Sequence, residues 1–451
     1  VIDTVFTSEA SSEPRFQALN DWLSWMETLH PNEIDLGLER ITIVGERLGF
    51  CELIHSRAAP GASGAPTVIS IAGTNGKGSC VAALETLLLC SSKTTGSFTS
   101  PHLLRYNERV RVNGECVSDT DLCRAFTRID LARNDISLTY FEFGALAAML
   151  IFKEAGVDYW LLEVGLGGRL DAVNMLSADI AVVTSIDLDH QAWLGDTREE
   201  IAFEKVGILR EGALFICAEN KPPQTLKQQS TALHANSYWI GQDFSWGRRD
   251  DGIELTLDNG ETVLRLGSLS LPLDSVAAAA QVFNLLGAGA ITTKHKSALQ
   301  TMQLEGRFSV RPLASGHKLI LDVAHNPAAS KLLAEKMCHL GSQPALAVFA
   351  IMADKDIRAV CQSLTHTIGH WFLPKNCHTV RAAAVEDVQK VLLGLGVEPR
   401  RISVFDDVDQ AIRLAQKKVE FGTILVFGSF YTVADTLRFL ADFSENKTSD
   451  D

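Results

Sequence analysis

An apolar run, Thr67-Val-Ile-Ser-Ile-Ala72, breaks abruptly into Gly73-Thr-Asn-Gly-Lys-Gly-Ser79 and resumes as an amphipathic stretch to Cys90. The pattern predicts a strand, a glycine loop and a helix. Glycines at 73, 76 and 78 permit a tight turn that brings backbone N–H groups up to an anion, and the positive end of the following helix favours the same ligand. Lys77 adds a mobile cation, and Ser79 a hydroxyl able to reach a phosphate-bound Mg²⁺. The general phosphate-loop pattern is met incompletely, since Ile71 stands where its first glycine belongs and Gly78 separates the lysine from the hydroxyl. On that pattern alone a glycine-rich β-turn remains open.

With 451 residues, 46% of them hydrophobic, the chain can bury a substantial core in two or three domains. A formal net charge of -14, with no lysine- or arginine-rich block to offset it, argues against a nucleic-acid partner. Any anionic ligand must therefore meet local positive charge. The nine cysteines are scattered and never form Cys-x-x-Cys, which points away from a disulfide framework or a zinc ribbon. No basic region precedes an apolar stretch at the start, and no uninterrupted run approaches the ~18 apolar residues of a membrane span. The expectation is a cytoplasmic protein with no membrane partner, monomeric by default.

Residues 16–54 read as helices, with Leu19, Trp22, Leu23 and Met26 at helical spacing and a second set at Leu38, Ile41, Val44 and Leu48. Between them, Ile34-Asp-Leu-Gly-Leu-Glu-Arg40 reads as a helix start capped by Asp35. Residues 58–66 are a Gly-, Ala- and Pro-rich loop. After the glycine loop, Ser97-Phe-Thr-Ser-Pro-His102 ends a strand, and Arg105, Arg109 and Arg111 follow as a basic cluster that solvent alone would explain. Leu138-Thr-Tyr-Phe-Glu-Phe-Gly144 then leads into an apolar helix.

Two buried-strand patterns end in chemistry, where ligands sit at the carboxyl ends of parallel strands. Tyr159-Trp-Leu-Leu-Glu-Val164 carries Glu163 inside the run, and Ile180-Ala-Val-Val-Thr-Ser-Ile186 ends in Asp187-Leu-Asp-His190. A carboxylate in an apolar strand is costly unless paired or metal-bound, and beside a phosphate loop Mg²⁺ is the natural partner. Thr197-Arg-Glu-Glu200 is a capping box, after which Ile201, Lys205 and Ile208 share one helix face. Lys205 either snorkels to the rim or is buried with its pKa lowered.

Residues 213–267 read as short strands and loops, and Val276–Leu286 as an alanine-rich helix. After Gly306-Arg-Phe308 a second unit begins, with strands at Lys318–Asp322, Ala345–Ile351, Ile402–Phe405 and Thr423–Phe427 between helical stretches. The expected fold is α/β in two domains. An N-terminal phosphate-loop ATPase-like parallel-sheet domain spans 1–306, and a smaller C-terminal Rossmann-like domain spans 307–451.

Taken together, these stretches resemble the bacterial bifunctional dihydrofolate synthases/folylpolyglutamate synthases of the Mur ligase superfamily. The resemblance runs through the loop at Gly73, Ser100-Pro-His-Leu103, Tyr106-Asn-Glu-Arg-Val110, Leu138–Glu142, Leu162–Asp171, Leu188-Asp-His190, Glu204-Lys205, Gly306-Arg-Phe308, Asp322-Val-Ala-His-Asn-Pro327, Asp354-Lys-Asp356 and Gly428-Ser-Phe430. It implies ATP between the domains, held by Gly73, Thr74, Asn75, Gly76, Lys77, Gly78 and Ser79 with Arg307, Asp322 and His325. It places Mg²⁺, two ions in all, on Ser100, Glu163, His190 and an N-carboxylated Lys205. It assigns the pterin to Leu36, Gly37, Leu38 and Glu39, to Thr139, Tyr140, Phe141 and Glu142, and to Leu170, Asp171 and Ala172. Lys77, Lys205 and His325 are the implied catalytic residues. Ser275 stands where the family usually has a nucleotide-binding Asn, which leaves adenine recognition there to a bridging water.

The chemistry implied is ligation of L-glutamate to dihydropteroate and to the tails of reduced folates through an acyl phosphate. The alternatives are tail extension alone, a cell-wall peptide ligase, for which Gly73 comes too early to follow a nucleotide-sugar domain, and a nucleotide-binding switch. At Leu138–Glu142, aromatics at helical spacing also suit a simple core helix.

Overall fold

The computed structural model describes residues 14–55 and 65–448, apart from 261, 314, 342–343, 376–378, 380 and 419–421. Most of the loop expected at 58–66 lies outside the described residues. The chain forms two α/β domains. In the first, strands β1 (Thr67–Ala72), β2 (Thr95–Phe98), β3 (Val110–Val112), β4 (Glu115–Cys116), β5 (Tyr159–Glu163), β6 (Ile180–Val183), β7 (Leu214–Cys217) and β8 (Asn236–Trp239) make one sheet. Its order is β4-β3-β2-β5-β1-β6-β7-β8. From β2 to β8 neighbours run parallel, and β3 and β4 add an antiparallel edge.

The central strand β1 is buried at every residue because helices cover both faces of the sheet, which is why it reads as an unbroken apolar run. Its register sets Ile71 beside Glu163 of β5, so the carboxylate emerges where the glycine loop begins. The helix Lys77–Cys90 packs between the sheet and the alanine-rich helix Leu273–Leu285. A small antiparallel sheet, β9 (Ser245–Arg249), β10 (Gly252–Leu257) and β11 (Thr262–Leu266), covers that second helix.

The second sheet begins at Arg307 and has the order β12-β13-β17-β14-β15-β16. Its strands are β12 (Arg307–Pro312), β13 (Lys318–Asp322), β14 (Ala345–Phe349), β15 (Ile368–Pro374), β16 (Ile402–Phe405) and β17 (Thr423–Phe427). All pairs are parallel except β12 with β13. Two strands escape the sequence pattern. In β15 Gly369 and His370 interrupt the apolar run, and in β12 the polar Arg307, Ser309 and Arg311 suit an edge strand. A helix at Gln224–Ala232 also falls where only strands and loops were expected. Asp35 does not cap a helix, since the helix it precedes starts at Glu39 behind Leu38, and Asp35 instead pairs with Arg40 at 2.8 Å.

Of the three arginines that follow β2, Arg111 is structural. It reaches the buried Glu85 carboxylate with contacts of 2.9 and 3.1 Å, and Glu85 also accepts a 2.7 Å bond from the Ser97 hydroxyl. Removing one partner strands the other in a poorly solvated place. Glu85→Ala is therefore expected to lower unfolding free energy by about 3 kcal/mol, whereas the double change Glu85→Leu with Arg111→Met recovers most of it. Urea denaturation checks this, and a wild-type midpoint for the single variant would show that the pair contributes nothing.

Candidate active site

The carboxyl ends of both parallel sheets face one another across a cavity of about 520 Å³. From the first domain come the glycine loop, Ser100, Glu163, His190 and Lys205, and from the second Arg307, Asp322 and His325. These are the candidate phosphate, metal and catalytic residues of the sequence, and the fold brings them to one place.

The loop is held from behind by the chain that follows β6. Thr74 N–H donates to the Ser185 carbonyl at 2.8 Å, Asn75 N–H to the Ser185 hydroxyl at 2.9 Å, and the Thr184 hydroxyl to the Asn75 carbonyl at 2.7 Å. Gly76 sits at φ 87°, in the left-handed region, and the helix starts at the next residue. A Cβ at Gly73 would strike the Thr184 hydroxyl, and one at Gly76 would strike that of Ser275. Ser275 is thus buried against the loop itself. The first N–H groups of the helix Lys77–Cys90 have no helical acceptor, and the helix begins at the cavity wall.

Two lysines converge on one oxygen. Lys77 Nζ donates to the Gly73 carbonyl at 3.0 Å and Lys205 Nζ to the same carbonyl at 3.1 Å. Burial lowers the Lys77 pKa against the pull of Glu163, and burial together with Lys77 brings Lys205 down to about 7. The helix carrying Lys205 is fixed by its capping box, in which Thr197 accepts from Glu200 N–H and Glu200 accepts from Thr197 N–H. Lys205 is only 4% exposed, so it does not snorkel.

Burial raises the Glu163 pKa, opposed by Lys77 and by a 3.1 Å bond from Ser100 N–H. His190, at φ 52°, is held neutral by burial, with its pKa lowered to about 4. The Ser79 hydroxyl is buried with no hydrogen-bond partner. Among the described residues no group of three His, Cys, Asp or Glu side chains is spaced to hold a metal unaided. A cation here would need serine hydroxyls as well as the Glu163 carboxylate and the His190 imidazole. That oxygen-rich set, with an orphaned hydroxyl beside a buried carboxylate, fits a hard divalent cation.

Across the cavity Arg307 opens β12 in register with Asp322 at the end of β13, and its guanidinium lies 5.1 Å over the Phe430 ring. Burial lowers the arginine's pKa and raises the aspartate's, each partly offset by the other. His325 Nδ1 donates to the Val323 carbonyl at 2.8 Å, and its Nε2 faces the Asp189 carboxylate at 3.6 Å.

The sequence reading assigned no role to Asp189, Asn326 or Lys355, yet they join the two domains. Asp189 receives Lys355 Nζ at 2.6 Å and Asn326 Nδ2 at 3.1 Å, and Asn326 exchanges two amide bonds with Asn75 of the loop, at 2.9 and 3.2 Å. Burial resists ionisation of Asp189, but His325, His190 and Lys355 outweigh it and hold the carboxylate well below its usual range. Asn326 also caps the helix Pro327–His339. The signal was present in Leu188-Asp-His190, Asp322–Pro327 and Asp354-Lys-Asp356, but nothing in a sequence pairs one with another.

The three pterin-assigned segments meet around Arg40. Gly37 N–H donates to the Leu170 carbonyl at 3.2 Å, and Arg40 reaches Asp35 and, at 3.3 Å, Glu142. Glu142 also accepts from Thr139 N–H at 2.7 Å in a capping box, so both its carboxylate oxygens are engaged within the protein. Phe141 packs on Gly165 and Phe98, and Tyr140 on Tyr106. Asp171 accepts from Leu166 and Val173 N–H, while burial lifts its pKa to about 6.

Residues 71–292 match the Mur ligase middle domain, and residues 306–430 the Mur ligase glutamate ligase domain. The chain is 37% identical to the dihydrofolate synthase/folylpolyglutamate synthase of Escherichia coli over 93% of its own length and 95% of that protein's. Identity to the Haemophilus influenzae protein of the same name is also 37%, over 92% and 96%. The fold superposes on Escherichia coli FolC in complex with DHPP and ADP with a TM-score of 0.86 at 35% identity, covering 96% of this chain and 100% of that one. It superposes on the Yersinia pestis bifunctional folylpolyglutamate synthase/dihydrofolate synthase complexed with AMPPNP and Mn with a TM-score of 0.84 at 35% identity, covering 95% and 100%. With the middle and ligase domains in this order around one cavity, the chain belongs to the Mur ligase superfamily, in its bacterial-type bifunctional dihydrofolate synthase/folylpolyglutamate synthase family.

Proposed function

We propose that this protein is an ATP-dependent glutamate ligase that joins L-glutamate to dihydropteroate, giving dihydrofolate, and to the glutamyl tail of reduced folates. The observation that carries the reading is the convergence of Lys77, Lys205 and Arg307 with the buried Glu163 on one glycine loop. Such a cluster favours a multiply charged anion. The nucleotides and metal bound by the Escherichia coli and Yersinia pestis relatives support it. We divide the protein at 306/307, with ATP between the halves and its phosphates on residues 73–79.

In this reading the acceptor carboxylate attacks the γ-phosphate of ATP and ADP leaves. The amine of glutamate then attacks the acyl phosphate, a proton is lost, and phosphate departs. The loop N–H groups, Lys77 and Arg307 oppose the charge of the phosphoryl group in flight. Asp189, Asn326 and Lys355 hold the halves together, keeping water from the acyl phosphate. Asp322 orients Arg307. His325 lines the nucleotide side of the cavity against Asp189. Ser79, Ser100, Glu163, His190 and a carboxylated Lys205 would hold Mg²⁺, in two sites, and the cation when bound supplies further charge neutralisation. The pterin ring lies against 36–39, 139–142 and 170–172, where Glu142 acts by bracing Arg40 and the helix start.

Purified protein given ATP, Mg²⁺ and L-glutamate is expected to release ADP only with an acceptor, and to use both dihydropteroate and tetrahydrofolate. Lys77→Ala should lower that turnover at least about a hundredfold while leaving the melting temperature near wild type. Turnover of tetrahydrofolate alone would reduce the assignment to tail extension, and acceptor-independent ATP hydrolysis would favour the switch.

Lys205 supplies a pH test. Its pKa falls from the ordinary lysine value to about 7, so the amine is increasingly neutral above that pH and open to carboxylation by CO₂. Enzyme stripped of bicarbonate should regain activity on its addition, with a rate that drops about tenfold for each pH unit below 7. Folding follows the same sign. The penalty of burying this amine is complete below about pH 7 and fades as pH rises toward the unfolded lysine value. Lys205→Ala should lose activity, and formate or acetate should restore part of it. Full activity of this variant without additive would rule the carboxylate out.

A further inference from the structure

Of the basic cluster at Arg105, Arg109 and Arg111, one member has no structural task. Arg111 pairs with Glu85, and Arg105 pairs with Asp119 on the open surface. Arg109 lines the interdomain cavity, and among the described residues no carboxylate lies within ion-pair reach of it. The adjacent carboxylate of Glu108 is already engaged, since it accepts the backbone N–H groups of Leu103, Leu104 and Arg105 at 2.7, 2.8 and 2.7 Å.

The guanidinium is nonetheless held in a fixed pose. Its Nε donates to His102 Nδ1 at 2.8 Å, and its plane lies over the rings of Tyr106 and Tyr140 at 5.4 and 5.6 Å. Burial first, and then the arginine itself, keep His102 neutral, with its pKa lowered to about 4, so the imidazole remains an acceptor. The terminal nitrogens of Arg109, a cavity-lining residue, make no hydrogen bond or ion pair among the described residues. On the facing wall Arg438 and Arg381 also line the cavity, but Asp435 holds the first and Glu33 and Asp354 the second. An oriented, partly desolvated guanidinium with no internal counter-ion is suited to bidentate capture of a carboxylate.

Its position specifies which carboxylate. Tyr140 belongs to the segment assigned to the pterin, and His102 lies two residues beyond Ser100, whose N–H donates to Glu163. Arg109 thus stands between the ring end and the reacting end of an acceptor. Resting on the glutamate-ligase reading, we propose that Arg109 anchors the α-carboxylate of a glutamyl tail and thereby sets the preference between acceptors. A glutamylated acceptor reacts through its γ-carboxylate and has an α-carboxylate to spare. Dihydropteroate has a single carboxylate, which is the group activated, and offers Arg109 nothing.

The test compares kcat and KM for tetrahydrofolate and dihydropteroate at saturating ATP, Mg²⁺ and L-glutamate. In Arg109→Ala, kcat/KM for tetrahydrofolate is expected to fall about tenfold or more, chiefly through KM, while that for dihydropteroate changes by less than about threefold. Arg109→Lys should recover part of the difference. His102→Ala, which keeps the guanidinium but frees its orientation, should shift the ratio the same way by a smaller factor. Equal losses with both acceptors, a raised KM for L-glutamate in place of tetrahydrofolate, or an unchanged ratio in both Arg109→Ala and His102→Ala would overturn the proposal. Wild-type enzyme that turns over neither acceptor would instead sink the ligase reading beneath it.

Discussion

Two ammonium groups share one carbonyl oxygen at the centre of this protein. Lys77 and Lys205 both donate to Gly73, each has its pKa lowered by burial, and Lys77 further disfavours the charged state of Lys205. Such a pair is poorly stable alone, since burial removes hydration and the neighbouring like charge adds repulsion. The fold answers with buried carboxylates at Glu163, Asp171 and Asp189, none of which is close enough to either lysine for an ion pair among the described residues. The cavity wall at the glycine loop therefore carries a local excess of positive charge. Sheet register makes it possible, because β1, β5 and β6 end together and deliver the glycine loop, Glu163 and His190 to the same edge.

The second domain completes the site through contacts of a different kind. Asp189 gathers Lys355 and Asn326 from across the cavity, and Asn326 exchanges amide bonds with Asn75 inside the loop. The residue that caps the helix Pro327–His339 is therefore also the one that touches the phosphate loop. The two domains are thus joined at the glycine loop by a pair of side-chain amide bonds. Arg307 belongs to the same arrangement, since it begins the first strand of the second sheet, paired with Asp322, whose charge offsets the cost of its burial.

Much of this was legible in the chain, and the limits have physical causes. β1 and β5 announced themselves because central parallel strands, covered on both faces, must be continuously apolar, and Glu163 stood out as an exception to that rule. Lys205 was legible in part, as helix spacing placed it on the apolar face but could not say whether its head escaped to solvent. Strand β15 was invisible because Gly369 and His370 break its pattern, and the burial of those residues is decided by neighbours remote in sequence. The internal partners of Glu142, the Thr139 N–H and Arg40, could not be read together, since Arg40 lies more than a hundred residues upstream. The Asp189 junction was hidden for a similar reason. Each of its three segments was conspicuous, but their meeting depends on how two domains dock.

The net charge of -14 appears to oppose a site for polyanions, and distance resolves the conflict. At physiological ionic strength exposed charges are screened beyond about 8 Å, so most of the acidic surface exerts little force inside an enclosed cavity. Within it, Lys77, Lys205, Arg307 and Arg109 line low-dielectric walls, where each charge acts more strongly than it would in water. The same contrast bears on selectivity. An anion that cannot place charge on the loop and on Arg109 together gains only part of the cavity's field, while an acidic exterior discourages adventitious polyanions from adhering elsewhere. What the cavity can hold then depends on where positive charge is left unpaired, not on how much of it the chain contains.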